Sequence, residues 1–252
     1  MKTVVLLHAL GVDSTMWSAQ RQALESAGHQ VIAPDQRGFG TSPLGALAPS
    51  LDIVADDLAR LLDERGADDV VLVGASMGAY VAMAFLRRHR DRVSALGLLS
   101  ARARADDEPV RAMRETFAAR VVEPGSGPAL VAAMTPSLVG ATTHATRPQV
   151  VAAVRASAAS ADAAALAWAQ RAIAARLDSL DVLRAANLPA VVIAGAEDGL
   201  VPLDHARETA EALPKGRLVV VPGAGHLPPL ETPDVVTGHL TELIAETTVA
   251  AC

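Results

Sequence analysis

The chain has 252 residues, 51% hydrophobic and 20% charged, ordinary globular usage that excludes a disordered or fibrous polypeptide. Lys and Arg number 22 against 28 Asp and Glu, and the formal charge of −6 leaves no electrostatic footprint for nucleic acid or an anionic membrane surface. The single cysteine, Cys252, is the last residue, so no internal disulfide and no thiolate metal cluster is expected, and a reducing, cytoplasmic location fits.

The first apolar run, Thr3 to Leu7, imitates the start of a signal peptide, but His8 ends it and no small-residue cleavage site follows. It reads as a strand. Further short runs at Val31 to Ala33, Val70 to Val73, Val93 to Leu99, Val191 to Ala194 and Leu218 to Val221 are nearly continuous in apolar character. Strands covered by helices on both faces have that pattern. Between them, Ser14 to Ala27 reads as a helix capped by Asp13 or Ser14. Leu51 to Arg65 carries Leu58, Leu61 and Leu62 at helical spacing before Gly66 stops it. The uncharged stretch Val70 to Leu86 approaches membrane-spanning length, but Gly74 and Gly78 interrupt it, and it reads as strand, turn and buried helix. Thr232 as cap, Pro233 at the first helical position and Asp234 facing the positive end of the dipole begin the last helix.

This alternation predicts an α/β fold, a doubly wound, mostly parallel sheet of about six strands with right-handed crossovers. Residues 101–176 break the rhythm. They are alanine-rich, without a convincing strand, and punctuated by Pro109, Pro124, Pro128, Pro136 and Pro148, while Leu166, Trp168, Ile173 and Leu177 are spaced to anchor helices. The expected organisation is a core domain formed by residues 1–100 and 177–252, with residues 101–176 inserted as a helical cap.

The sharpest chemical feature is Gly74-Ala75-Ser76-Met77-Gly78, directly after one predicted strand and before an apolar helix, Ala79 to Leu86. A turn this tight rejects bulky flanks and pushes the serine hydroxyl out above the sheet at a helix N-terminus. A serine becomes a nucleophile when a histidine removes its proton, and the histidine needs a carboxylate to fix its tautomer. Asp198 follows the strand Val191 to Ala194, and His226 follows Leu218 to Val221, both at the carboxyl edge where catalytic groups collect. Glu197 beside Asp198 competes for the same role, with register favouring Asp198.

At these residues the chain resembles the α/β-hydrolase fold superfamily. The resemblance rests on His8-Ala9-Leu10-Gly11, on Asp35-Gln36-Arg37-Gly38-Phe39-Gly40-Thr41-Ser42, on the serine elbow, and on the Asp198 and His226 loops in the order Ser, Asp, His. Ala185 to Pro202 and Arg176-Leu177-Asp178-Ser179 look most like the 3-oxoadipate enol-lactonases and cofactor-free haloperoxidase-like esterases. The resemblance implies a triad of Ser76, Asp198 and His226, an oxyanion hole formed by the N–H groups of Leu10 and Met77, and a cap over the acyl pocket. It implies a hydrolase of small esters or lactones with no cofactor, no metal, and neither nucleic acid nor membrane as a partner, its oligomeric state left open. Perhydrolysis by the same triad and a catalytically silent ligand-binding protein are the alternatives. Epoxide hydrolases and haloalkane dehalogenases of this fold carry aspartate at the elbow, so Ser76 argues against both chemistries.

Two departures stand out. The first block usually reads His-Gly, and if Ala9 occupies a position needing φ above zero, it is strained there. The family also commonly has two strands before that block, absent in this chain. Among the remaining residues, His8 is expected to hold the oxyanion loop by hydrogen bonds, His144 to lie on the surface, and Asp35 and Arg37 to form an ion pair or anchor backbone. Arg102, Arg104, Arg111, Arg114 and Arg120 are interleaved with acids and read as a solvated mixed-charge face, ahead of a clamp for a substrate carboxylate. Met113, Phe117, Met134 and Trp168 are the candidate pocket residues.

Overall fold

The computed structural model describes residues 1–249, so Cys252 lies outside the described residues. Six strands, β1 (Thr3–Leu7), β2 (Gln30–Ile32), β3 (Val70–Ala75), β4 (Val93–Leu99), β5 (Ala190–Gly195) and β6 (Gly216–Val221), form one parallel sheet in the order β2-β1-β3-β4-β5-β6. Alternate strand residues feed two apolar layers. Val5, Leu7, Leu72 and Val192 face α2 (Leu51–Glu64), α3 (Met77–Arg88) and α10 (Leu203–Ala212). Val4, Leu6, Val73 and Ile193 face α1 (Ser18–Ser26) and α12 (Pro233–Val249). With both faces covered, the strands have no polar side to present, which is why their sequences run apolar without alternation.

Local chemistry fixes the helix starts. Asp13 accepts the N–H of Thr15 and caps a short 3-10 turn, Ser14–Trp17, so the predicted first helix is two elements, the turn followed by α1. Ser50 caps α2 through the N–H of Asp52. Thr232 does not cap as expected. Its hydroxyl donates backward to the Pro228 carbonyl, at the end of α11 (Pro228–Glu231).

Between β4 and β5 the chain is entirely helical: α4 (Glu108–Val121), α5 (Gly127–Met134), α6 (Ala141–Thr146), α7 (Pro148–Ser160) and α8 (Ala163–Ala174), before α9 (Leu180–Arg184) returns it to the sheet. Pro109, Pro128 and Pro148 sit in first turns, where a missing N–H costs nothing, so these breakers mark where helices begin. Among the described residues no single helix is long and apolar enough to cross a membrane.

Candidate active site

The chain leaves β1 toward one edge of the sheet and leaves β3 toward the other, so a crevice opens outside their carboxyl ends. Ser76 sits there as the single residue between β3 and α3, at φ 51 and ψ −113. A non-glycine residue held so costs about 1–3 kcal/mol, and only over-determined surroundings maintain it. Here they do. A Cβ on Gly74 would lie 2.2 Å from the Gly78 carbonyl oxygen, and a Cβ on Gly78 would lie 2.2 Å from that of Leu7, so neither flank admits a side chain. The Ser76 N–H donates to the Leu99 carbonyl at 2.8 Å and ties the elbow to β4.

The serine Oγ is 2.8 Å from Nε2 of His226, and Nδ1 of His226 is 2.9 Å from Oδ2 of Asp198. The His226 and Asp198 side chains are only 5% and 2% exposed. Burial pushes the Asp198 carboxyl up, but the hydrogen bonds from His226 and from the N–H groups of Val201 and Leu200 outweigh it and hold the carboxyl below the usual carboxylate range. An ionised carboxylate at Nδ1 places the ring proton there and leaves the Nε2 lone pair facing the serine. Glu197 turns the other way: its carboxylate accepts the N–H and hydroxyl of Thr142 at 2.8 and 2.5 Å.

The loop after β1 is fixed by His8. Its Nε2 accepts the Gln36 N–H at 2.9 Å, which leaves the proton on Nδ1 to donate to the Ala9 carbonyl at 2.8 Å. Complete burial lowers its pKa and keeps the ring neutral. The condition under which Ala9 would be strained is not met: its φ is not positive, and the left-handed residue of this loop is Gly11, at φ 78. The Ala9 side chain instead packs into the core at 2% exposure. Neither the Leu10 nor the Met77 N–H donates to a protein acceptor among the described residues. Met77 opens α3, where an N–H has no partner in its own helix.

A cavity of about 450 Å³ opens over Ser76 and His226, with Leu10 in its wall. Met113, Phe117 and Met134 line it, but Trp168 does not. Its indole N–H donates to the Leu47 carbonyl at 2.7 Å, and its ring packs into the core. The residues of α8 that reach the cavity are Gln170 and Ile173, one turn apart; Trp168, two residues before Gln170, points away from that face. The five arginines also separate. Arg104 pairs with Glu208 and Arg111 with Glu108 on the surface, and Arg120 is exposed, whereas Arg102 and Arg114 line the cavity. Asp35 and Arg37 do not pair with each other. Asp35 accepts the N–H groups of Ser14 and Thr41, and Arg37 makes a two-pronged contact with Asp57. His144 lies on α6 with Nε2 2.9 Å from the Pro136 carbonyl, outside the cavity.

One residue escaped the sequence reading. Glu231 is 1% exposed, and one of its oxygens accepts the N–H groups of Gly225 and Leu227, which flank His226, at 2.9 and 3.1 Å. The other accepts the Gly140 N–H at 2.8 Å and the Thr143 hydroxyl at 2.6 Å. A lone glutamate five residues after His226 carries no local pattern pointing to this role; only the fold brings its four donors together.

A doubly wound parallel sheet with a strained serine at a strand-to-helix elbow, backed by a buried histidine and carboxylate, defines a class of hydrolases. The α/β-hydrolase fold family model matches residues 2–233, and the chain belongs to that family. In solved structures it is similar to a thermophilic esterase from Thermogutta terrifontis in a malate-bound form (38% identity, TM-score 0.93, covering 98% of this chain and 90% of that one). It is also similar to the enol-lactonase from Burkholderia xenovorans LB400 (28% identity, TM-score 0.87, covering 97% and 92%). Over 118 residues it is 40% identical to epoxide hydrolase A of Mycobacterium tuberculosis, a match covering 45% of this chain and 37% of that relative, so the chain spans well under half of the relative's length.

Proposed function

We propose that the protein hydrolyses small carboxylic esters or lactones through an acyl-enzyme on Ser76. The observation that carries this reading is the unbroken hydrogen-bonded line from Ser76 Oγ through His226 to Asp198, starting from a strained elbow. In the proposed cycle Ser76 attacks the ester carbonyl while His226 Nε2 takes its proton. The charge that forms on the carbonyl oxygen is met by the Leu10 and Met77 N–H groups, and removing one such donor costs an enzyme about 3 kcal/mol of transition-state stabilisation. His226 then protonates the departing alkoxide, and a water activated by the same nitrogen releases the acid. Asp198 holds the imidazole in the required tautomer throughout. Residues 101–176 act as the cap that supplies the apolar wall of the acyl pocket. Serine at the elbow supports acyl transfer over epoxide opening, despite the name of the partial relative.

The test is hydrolysis of p-nitrophenyl esters from acetate to octanoate by the wild type and by Ser76→Ala. Turnover in the wild type that falls at least about 10³-fold in the variant supports the reading. Equal rates in both proteins would overturn it, and so would no turnover in folded wild type.

A further inference from the structure

Resting on that ester-hydrolase reading, we propose that Arg147 and Glu197 are positioning residues for His226, through which α6 of the inserted helical segment clamps the catalytic histidine in line with Ser76 and Asp198. His226 stands in the loop between β6 and α11, and its ring keeps its two hydrogen bonds only while that loop is held. The loop is sandwiched between two other backbones. On one side a Cβ on Gly195, at the end of β5, would strike the Gly225 carbonyl oxygen. On the other a Cβ on Gly225 would strike the Gly140 nitrogen, at the start of α6. Three glycines thus bring the strand that leads to Asp198, the histidine loop and the helical segment into backbone contact.

Polar contacts lock the sandwich. Arg147, just after α6, donates one guanidinium nitrogen to the Gly223 carbonyl at 2.7 Å and another to the Glu231 carbonyl. One planar group therefore ties together chain three residues before His226 and five residues after it. Glu197, beside Asp198, accepts the N–H and hydroxyl of Thr142 on α6, while its own N–H donates to the Ala224 carbonyl at 2.8 Å. Leu138 and Val139, which lead into α6, share an apolar cluster with Ala224 and Leu227. Neither Arg147 nor Glu197 lines the cavity, so an effect of either on turnover has to pass through the loop. Displacing a reacting group by about 1 Å costs on the order of 10²-fold in rate, whereas ester binding is set by the cavity wall. The signature of this clamp is a fall in kcat at nearly constant KM.

The experiment compares Arg147→Ala, Arg147→Lys, Glu197→Ala and Glu197→Gln with the wild type. It measures kcat and KM on p-nitrophenyl acetate and butyrate, the rate of fluorophosphonate labelling, the His226 Nδ1 proton by NMR, and the urea midpoint as a check on folding. Arg147→Ala and Glu197→Ala should each lower kcat and the labelling rate by about 10-fold to 10²-fold, with KM within about twofold and the Nδ1 proton signal broadened or lost. Glu197→Gln should recover most of the rate, because its amide oxygen takes the Thr142 N–H while its NH2 group donates to the hydroxyl. Arg147→Lys should recover only part, since a single ammonium lacks the fork that serves both carbonyls. A kcat within about twofold of wild type in both alanine variants, or a rise in KM alone, would overturn the proposal and leave the hydrolase reading intact. If Arg147→Ala does not fold, the Glu197 pair decides by the same criterion. If the wild type shows neither turnover nor labelling, the hydrolase reading fails instead, and the Nδ1 proton decides the clamp. A signal present in the wild type and lost in Arg147→Ala supports it; a signal absent from the wild type, or unchanged in both alanine variants, refutes it.

Discussion

The carboxyl edge of the sheet and the helical segment 101–176 are built on opposite principles. At the edge, backbone contacts set the geometry: Gly74 and Gly78 allow approaches that any Cβ would block, and Ser76 holds a positive φ because three strands constrain it. In the helical segment, side-chain packing sets it, with alanine-rich helices of which α4, α5 and α8 supply one wall of the cavity, facing the loops of the sheet edge. Backbone-determined geometry tolerates almost no substitution and leaves a sharp pattern in the sequence. Packing-determined geometry tolerates exchange of like-sized apolar residues and leaves little pattern.

Substitutions at the edge should therefore have the largest effects. Ser76→Ala and His226→Ala should each lower kcat by about 10⁴-fold or more, and the double variant should lose little beyond either single one, because the residues act as a unit. Steady-state kinetics of all three proteins check this, and clearly additive losses would separate the two roles. Gly78→Ala should destabilise the fold by about 3 kcal/mol or more, since its Cβ would meet backbone, which has nowhere to move. Denaturant unfolding measures that loss, whereas Met113→Leu in the cavity wall should cost under about 1.5 kcal/mol.

The difference between the regions also explains what was legible. The six strands, the elbow and the positions of Asp198 and His226 were readable because each depends on local constraints: apolar runs, glycine spacing, loops after strands. Trp168 faces the core because it lies two residues, about half a helical turn, from Gln170, and alanine-rich sequence does not fix that phase. Of the two roles expected for Asp35 and Arg37, backbone anchoring holds and mutual pairing does not: Asp35 accepts the N–H groups of Ser14 and Thr41, and Arg37 donates to the Leu44 carbonyl while pairing with Asp57, whose position only the fold determines. Glu231 was invisible because its donors come from residues 140 to 227, united only by tertiary structure.

Glu231 links the two regions, so it tests whether they are independent. Glu231→Gln keeps the volume but replaces one of its two acceptor oxygens, each of which takes two hydrogen bonds, with an NH2 donor facing N–H or O–H groups. It should cost about 1–3 kcal/mol of stability and lower kcat more than it changes KM. Parallel loss of stability with unchanged kcat would show that the His226 loop is held by other contacts.

Smaller effects follow at the loops. Asp35 is pushed up by burial, but the hydrogen bonds from Ser14 and Thr41 prevail and bring its pKa down to about 2. Its folded value lies below its unfolded one, so its contribution to stability is present above the unfolded pKa and is lost as pH falls toward 2. Asp35→Asn should be less stable than wild type at neutral pH, with the gap closing by about pH 2. Ala9→Gly should leave kcat unchanged within about twofold, since Ala9 carries no backbone strain, and should cost about 0.4–1 kcal/mol through the more flexible unfolded chain.

Activation of Ser76 is tested most directly by intact mass after treatment with a fluorophosphonate, on the wild type and on Ser76→Ala. One adduct is expected on the wild type, mapped to Ser76, and none on the variant. An unlabelled wild type, or equal labelling of both proteins, would contradict the claim that Ser76 is an activated nucleophile.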